Sequence, residues 1–335
     1  MNKFKIIIAL LFIVSIANAQ EKSASLQKRT AISVKEKFPN ARLLNFEYGQ
    51  SLARNFDSEL LGVNFNNAKI KTQHTFKASA NIPLHRSKNR KWAVTGSLNY
   101  LLNSFEFENV NETNQPIFEQ NGTVNFHNFS TAISSTYFSS LFKKPVIYNA
   151  SFIVDGNNKG LERVKGLVGL SFILKRTQRT MMTLGAIVFV DPTSQIPFFP
   201  TFSYSHKFKN SKWELDFILP QRLLFRRFVG ENGRFSIGSS FGGNGFYVNI
   251  KDNPAYTETF EYSQLEIKSG VMYEYRFNNF LIGTFQGGLQ NFISNRLTEK
   301  GASSKDYIYQ NTQKATGYFQ IGISIDPFAK KKTKK

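Results

Sequence analysis

The chain has 335 residues, a formal charge of +20, 41% hydrophobic residues and no cysteine. Without thiols, disulfide scaffolds, zinc-thiolate centres and cysteine nucleophiles are excluded. After Gln20 no apolar run approaches the roughly 18 residues of a membrane helix, so a membrane-embedded form must be a closed barrel whose backbone groups pair internally.

Residues 1–19 read as a secretory signal. Lys3 and Lys5 supply its positive region, residues 6–16 its apolar core, and Ala17-Asn18-Ala19 an A-x-A cleavage site before Gln20. Taking those two lysines from +20 leaves +18 for the remainder. Such a charge suits anionic lipid head groups or acidic solutes; nucleic acid is not expected as a partner, because the basic residues sit in turns and strand flanks. Residues 20–40 are polar, with a loose helical spacing of Leu26, Ala31, Val34 and Phe38. The segment is either a disordered periplasmic lead or a short helix in the barrel mouth, acting as a plug.

From residue 41 the period becomes two, the signature of strands. Leu44, Phe46 and Tyr48 open the first strand, and a polar loop is predicted from there to about Asn67. Ile70, Thr72, Phe76, Ala78, Ala80, Ile82 and Leu84 then share one phase, with Lys69, Lys71 and Lys77 on the other; Pro83 marks the strand end. A basic turn at 86–90 leads to Trp92, Val94, Leu98, Tyr100 and Leu102. An acidic, Asn-rich loop follows to Gly122. Over 124–138 the phase is ambiguous and allows a bulge. Alternation resumes over 146–154, 164–174, 182–190 and 202–204, with a loop at 155–163 and a Pro-bearing one at 191–200. Trp213, Leu215, Phe217 and Leu219 stop at Pro220, and Leu223 and Phe225 form a short return run between Arg222 and Arg226. After Phe235, Ile237 and Phe241 comes a Gly-rich, aromatic loop at 242–262.

The clearest pattern lies at 263–292. Leu265, Ile267, Val271, Tyr273 and Tyr275 alternate with Gln264, Glu266, Lys268, Gly270 and Glu274. Asn278-Asn279 turns the chain, and Leu281, Phe285 and Leu289 alternate with Thr284, Gln286, Gly288 and Gln290. A last loop at 294–313 precedes a final strand over 315–325. Soluble strands average about 5 or 6 residues, whereas about 9 to 11 tilted residues cross a bilayer; these runs fit the second case. The expected fold is an all-β, antiparallel transmembrane β-barrel over residues 41–328, with a basic tail at 329–335. It has fourteen strands, or twelve if the first strand or the Pro220 pair is discounted. Short turns alternate with longer loops, as in outer-membrane barrels.

The mature chain resembles the outer-membrane β-barrel proteins of Bacteroidota, within a group of uncharacterised ones. The features that carry the likeness are the signal ending at Ala19-Gln20, the Phe- and Asn-rich strands, the Leu219-Pro220 corner before Gly-rich strands, and the Ile-rich last strand. The resemblance implies location in the outer membrane of a Gram-negative bacterium. It also implies contact with outer-membrane lipid and lipopolysaccharide, and a terminal aromatic read by the outer-membrane insertion machinery. Phe328 fills that place, although Lys330 to Lys335 extend beyond it. No activity comes with the likeness.

Four histidines, His74, His85, His127 and His206, are the only general-base candidates of their type. No nucleophile elbow or H-E-x-x-H spacing accompanies them, so an enzyme is not expected, and neither a cofactor nor a metal is implied. Gly242-Gly243-Asn244-Gly245 lacks the Lys-Ser/Thr of a phosphate loop and reads as a flexible rim. Lys69, Lys71, Lys77, Arg222, Arg226, Glu266 and Lys268 occupy inward phases. They either line an anion-favouring passage or pair with carboxylates to fill a closed interior. Tyr48, Trp92, Tyr137, Tyr204, Trp213 and Tyr275 suit interfacial aromatic girdles. The expected function is a passive channel or small-solute transporter with anion preference, a small anionic solute being its cargo. A closed structural or partner-binding barrel is the alternative, and an outer-membrane lipid hydrolase comes third.

Overall fold

Side chains alternate between the two faces of a strand, and in this protein one face is apolar and exposed. Phe76, Leu98, Phe129, Ile133, Phe152, Val168, Leu184, Val188, Phe225, Ile237, Phe285, Leu289 and Ile321 all stand on it. Each large apolar side chain left in water forgoes about 1.5–3 kcal/mol of burial, so a belt of this size would be far too costly in water. Hydrocarbon removes that cost. The computed structural model describes residues 38–39, 42–110, 121–191, 194–249 and 259–327. The predicted signal, most of the 20–40 segment, Phe328 and the basic tail lie outside the described residues.

Sixteen β-segments follow one another. The first six are β1 (Leu44–Ser51), β2 (Arg54–Leu60), β3 (Val63–Arg86), β4 (Trp92–Glu108), β5 (Gly122–Leu141) and β6 (Lys144–Asn157). Next come β7 (Gly160–Arg176), β8 (Thr180–Val190), β9 (Phe198–Lys207), β10 (Trp213–Leu219) and β11 (Arg222–Val229). The last five are β12 (Gly233–Asn249), β13 (Thr259–Arg276), β14 (Leu281–Glu299), β15 (Tyr307–Gln313) and β16 (Thr316–Ile325). Every neighbouring pair is antiparallel, and the ring closes where β1 meets β16 and β2 meets β15. β1 and β2 are one strand broken at 52–53, and β15 and β16 one strand broken at 314–315, so sixteen segments make the predicted fourteen strands. Across the seam the two breaks hold each other: Leu52 N donates to Gly317 O at 2.9 Å and Thr316 Oγ1 to Ala53 O at 3.2 Å.

Both ends of the described barrel lie at one rim, called here the terminal end. Its turns are short, at 87–91, 142–143, 177–179, 208–212, 230–232 and 277–280, whereas the opposite, loop end carries the longer connections at 109–121, 191–197, 250–258 and 300–306.

Strands rise further toward the loop end than the sequence pattern predicts. The expected loop to Asn67 is instead β1, β2 and a tight turn at Leu61-Gly62, both with positive φ. Most of the expected loop at 242–262 is β12 and β13, so Gly242 to Gly245 sit in a strand and not on a flexible rim. The expected loop at 294–313 shrinks to 300–306, and that at 155–163 to a turn between Asn157 and Gly160. Above the lipid belt neither face meets hydrocarbon, so period two fades although the backbone stays extended. The ambiguous phase at 124–138 hides no bulge, since β5 keeps unbroken register with both neighbours; Phe126 simply points in while Phe129 points out.

One row of glycines crosses the wall. Gly238 pairs with Gly270, and Gly270 with Gly288, across β12, β13 and β14. A Cβ on any of them would stand 2.0–2.1 Å from a neighbouring carbonyl oxygen, and Gly238 has φ of +151°. Beyond that row β12 outruns β11, whose pairing stops at Arg222↔Ser240.

Candidate functional site

Three layers occupy the barrel interior. At the loop end the β12–β13 hairpin leans across the mouth. Consecutive residues are buried on it, Phe246 with Tyr247 and Phe260 with Glu261 and Tyr262, which no lipid-facing wall permits. One face packs Phe246, Phe260 and Tyr262 against Phe56, Ile70, Phe105, Leu297 and Tyr309, with Phe246 stacked on Phe126 of β5 at 4.1 Å. The other face presents Glu261 to Arg163 and Lys165 of β7. Arg163 also pairs with Asp191 at 2.6 Å, and Lys165 with Asp155 at 2.9 Å. This apolar-and-ionic clamp fixes the hairpin to the opposite wall.

The middle layer is a polar cavity. It is lined by Glu47, Gln73, Thr75, Lys77, Asn244, Glu266, Lys268, Gln290, Tyr318 and Gln320, among others. Its carboxylates already accept bonds. Glu266 accepts from Gln264 at 2.7 Å and Gln290 at 2.5 Å, and pairs with Lys268 at 3.0 Å; Glu47 accepts from Asn45 at 2.7 Å and Gln320 at 2.8 Å. Lys77 has no ion pair and no hydrogen bond from its ammonium among the described residues. Lys268 spends one donor on Glu266 and lies 5.3 Å from the Tyr318 ring. An ammonium has three donors and no acceptor, so the unspent capacity of this cavity is mostly donor.

At the terminal end a buried ionic cluster lines the inner face of β10 to β13. Asp216 holds both Arg222 and Arg226 at 2.6 Å. Arg234 forks onto Glu274 through Nε at 2.6 Å and Nη2 at 3.0 Å, and Arg42 adds a third bond at 2.6 Å. The fully buried ring of Phe38 lies 4.7 Å from the Arg234 guanidinium carbon.

Filling is one-sided. No residue of β5 or β9 is buried, and Thr180 alone of β8, whereas β13 buries Phe260, Glu261, Tyr262, Gln264, Glu266 and Glu274. Along β5 to β9 the inward phase carries Asn149, Ser151, Ser171, Thr183 and Ser203, with Ile187, Phe189 and Phe199 above them, all half-buried. Below the clamp, which buries Asp155 of β6 and Arg163 of β7, this strip of the interior is half-exposed.

Five of the seven predicted lining residues face inward: Lys77, Glu266 and Lys268 in the middle layer, Arg222 and Arg226 in the terminal cluster. Lys69 and Lys71 do not. Their side chains are 37% and 58% exposed and pair with Glu108 and Glu106 on the outer face. The register shifts between Ile70 and Thr72, and this bulge swaps faces, so that Ile70 and Gln73 both point in. Sequence reasoning missed Arg54, which is 3% exposed and donates to Gln73 and Gln313 at 2.5 and 2.6 Å, because its strand was read as a loop. Arg163, Glu261, Arg234 and Phe38 were missed too. Asp216, alternating with Leu215 and Phe217, was the legible signal for the terminal cluster.

On the outer face, Trp92, Tyr137, Tyr204, Trp213 and Tyr275 stand near the terminal end. Tyr48 does not join this girdle. It sits mid-wall opposite Phe76 and Ile321, hydrogen-bonded to His74 at 2.7 Å. The other histidines also have partners unsuited to a Ser/His/Asp set: Tyr100 for His127, Thr180 for His206, and the Trp92 ring for His85. Below the girdle the terminal rim is basic. Arg86, Lys88, Arg90, Lys143, Lys144, Lys175, Arg179, Lys207, Lys209 and Lys212 are exposed there, with no ion pair among the described residues.

No protein-family model matches the chain, and no curated protein matches it. Among solved structures it is similar to an outer membrane channel from Pseudomonas putida F1, with a TM-score of 0.38 at 8% identity, over 86% of this chain and 97% of that one. It is also similar to the outer membrane protein Omp33 of Acinetobacter baumannii, at 0.30 and 10%, over 86% and 100%. The KdgM porin in complex with oligogalacturonate scores 0.30 at 7% identity, over 84% and 98%. At these scores the likeness carries no argument about solute or mechanism.

Proposed function

We propose that the protein is an outer-membrane channel for small solutes, with a preference for anions. The observation that carries this reading is the unpaired Lys77 ammonium beside Lys268 in a cavity whose carboxylates are already engaged. A bare ammonium in a low-dielectric lumen lowers the barrier for a negative solute and raises it for a positive one. Below the hairpin clamp, the half-exposed polar strip along β5 to β9 supplies a route past the packed side. Orientation follows from the loops, short turns facing the periplasm and longer connections the exterior.

The test is the reversal potential of the refolded protein in a planar bilayer across a salt gradient. Wild type should select anions, a Lys77→Glu/Lys268→Glu variant should lose or invert the preference, and Lys69→Glu/Lys71→Glu should leave it unchanged. A folded, heat-modifiable barrel without conductance would sink the reading.

A second reading has its own support. The clamped β12–β13 hairpin and the terminal ionic cluster each fill part of the lumen, and a closed structural or partner-binding barrel would extend that filling to all of it. Absence of conductance in every variant that loosens either layer would favour it.

A further inference from the structure

Three bands succeed one another down the outer wall at the terminal end. Phe152, Leu184, Phe225 and Phe285 belong to the apolar belt. Trp92, Tyr137, Tyr204, Trp213 and Tyr275 follow. Exposed cations come last, and they lie close in sequence to the rings above them: Arg90 to Trp92, Lys207 to Tyr204, Lys212 to Trp213. At about 3.3 Å per residue, one to three residues separate ring and charge by about 3–10 Å. That is the spacing at which a bilayer passes from acyl boundary to phosphate.

The cations are unspent. Outside the barrel interior, the described carboxylates at this rim are Glu231 and Asp326, against ten exposed lysines and arginines. The loop end differs in carrying both signs: Lys69 pairs with Glu108, Lys71 with Glu106 and Lys300 with Glu162, beside exposed Lys159, Lys305 and Lys314. A rim that merely needed solubility could be of mixed sign, as that one is.

We infer that the terminal rim is a binding surface for phospholipids with net negative head groups in the adjoining leaflet, their phosphates engaging Lys88, Arg90, Lys144, Lys207, Lys209 and Lys212. The short turns hold these side chains at one height, and the aromatic rings above them fix that height against the bilayer. The inference does not depend on whether the lumen conducts.

The chain carries its own reporter, since both of its tryptophans, Trp92 and Trp213, sit directly above this rim. The full protein is reconstituted in mixed bilayers in which either phosphatidylglycerol or phosphatidylcholine is brominated, and quenching of tryptophan emission gives their relative affinity at the wall. Phosphatidylglycerol should be favoured about fivefold for each cation it engages, and the preference should collapse toward unity as salt screens the rim. A Lys144→Gln/Lys207→Gln/Lys209→Gln/Lys212→Gln variant should lose it while remaining heat-modifiable. Equal quenching by the two lipids overturns the inference, as does a preference that survives both salt and the variant. Displacement of brominated phosphatidylglycerol by lipid A at lower concentration than by unlabelled phosphatidylglycerol also overturns it. If the variant does not fold, the salt titration of wild type decides alone.

Discussion

The Phe38 ring lies 4.7 Å from the guanidinium carbon of Arg234 and 6.2 Å from the Phe228 ring, inside the barrel at the end where the chain enters. Phe38 therefore sits within the lumen, and the contact caps an arginine that Glu274 holds from the other side. Phe38→Ala should cost about 3–5 kcal/mol, the range for deleting a fully buried ring. It should also raise conductance, because the ring fills the lumen beside the ionic cluster. Thermal melting in detergent and single-channel recording check the two effects separately.

Glu261 should behave as the pin of the hairpin clamp. Removing its carboxylate leaves Arg163 and Lys165 short of a partner in a nearly dry site, and breaking one member out of a buried ion pair costs about 3–5 kcal/mol. In a Tyr247→Cys background, Glu261→Ala should speed maleimide labelling from the loop side. An unchanged labelling rate would mean that the apolar face alone holds the hairpin.

Lys69→Ala and Lys71→Ala should shift stability by less than about 1 kcal/mol. Exposed ion pairs seldom exceed that value and are screened by salt. A melting series at low and high ionic strength measures it.

Gly288→Ala should prevent the barrel from reaching its heat-modifiable form. Its Cβ would lie 2.0 Å from Ser269 O, and a main-chain oxygen in a closed sheet cannot turn aside. The neighbouring Gly287→Ala is the control, since its Cβ would meet nothing nearer than 3.5 Å. Gel mobility with and without boiling distinguishes the two.

The wall was legible wherever one face meets lipid. In residues 263–292 the split between Leu265, Val271 and Phe285 on one side and Glu266, Lys268 and Gln290 on the other survives unchanged in the fold. It failed where both faces meet protein. Phe246-Tyr247 and Phe260-Glu261-Tyr262 have no period, because each successive side chain finds its own burial, so a strand leaning into the lumen reads as an aromatic loop. Lys69 and Lys71 failed for a smaller reason: a single extra residue between Ile70 and Thr72 reverses the faces, and nothing in the local composition announces it. Ion pairs between strands far apart in sequence, such as Arg163 with Glu261, follow from curvature, which no linear pattern carries.

The glycine row at Gly238, Gly270 and Gly288 adjoins the cavity, two residues from Lys268 and from Gln290. Over that arc the passage is walled by bare peptide. Rotamer hops, which let other parts of a lumen breathe on the picosecond-to-nanosecond scale, have nothing to act on there. A solute crossing this level would meet a fixed ledge of amide dipoles, and any opening or closing has to come from the hairpin above it or the arginine cluster below.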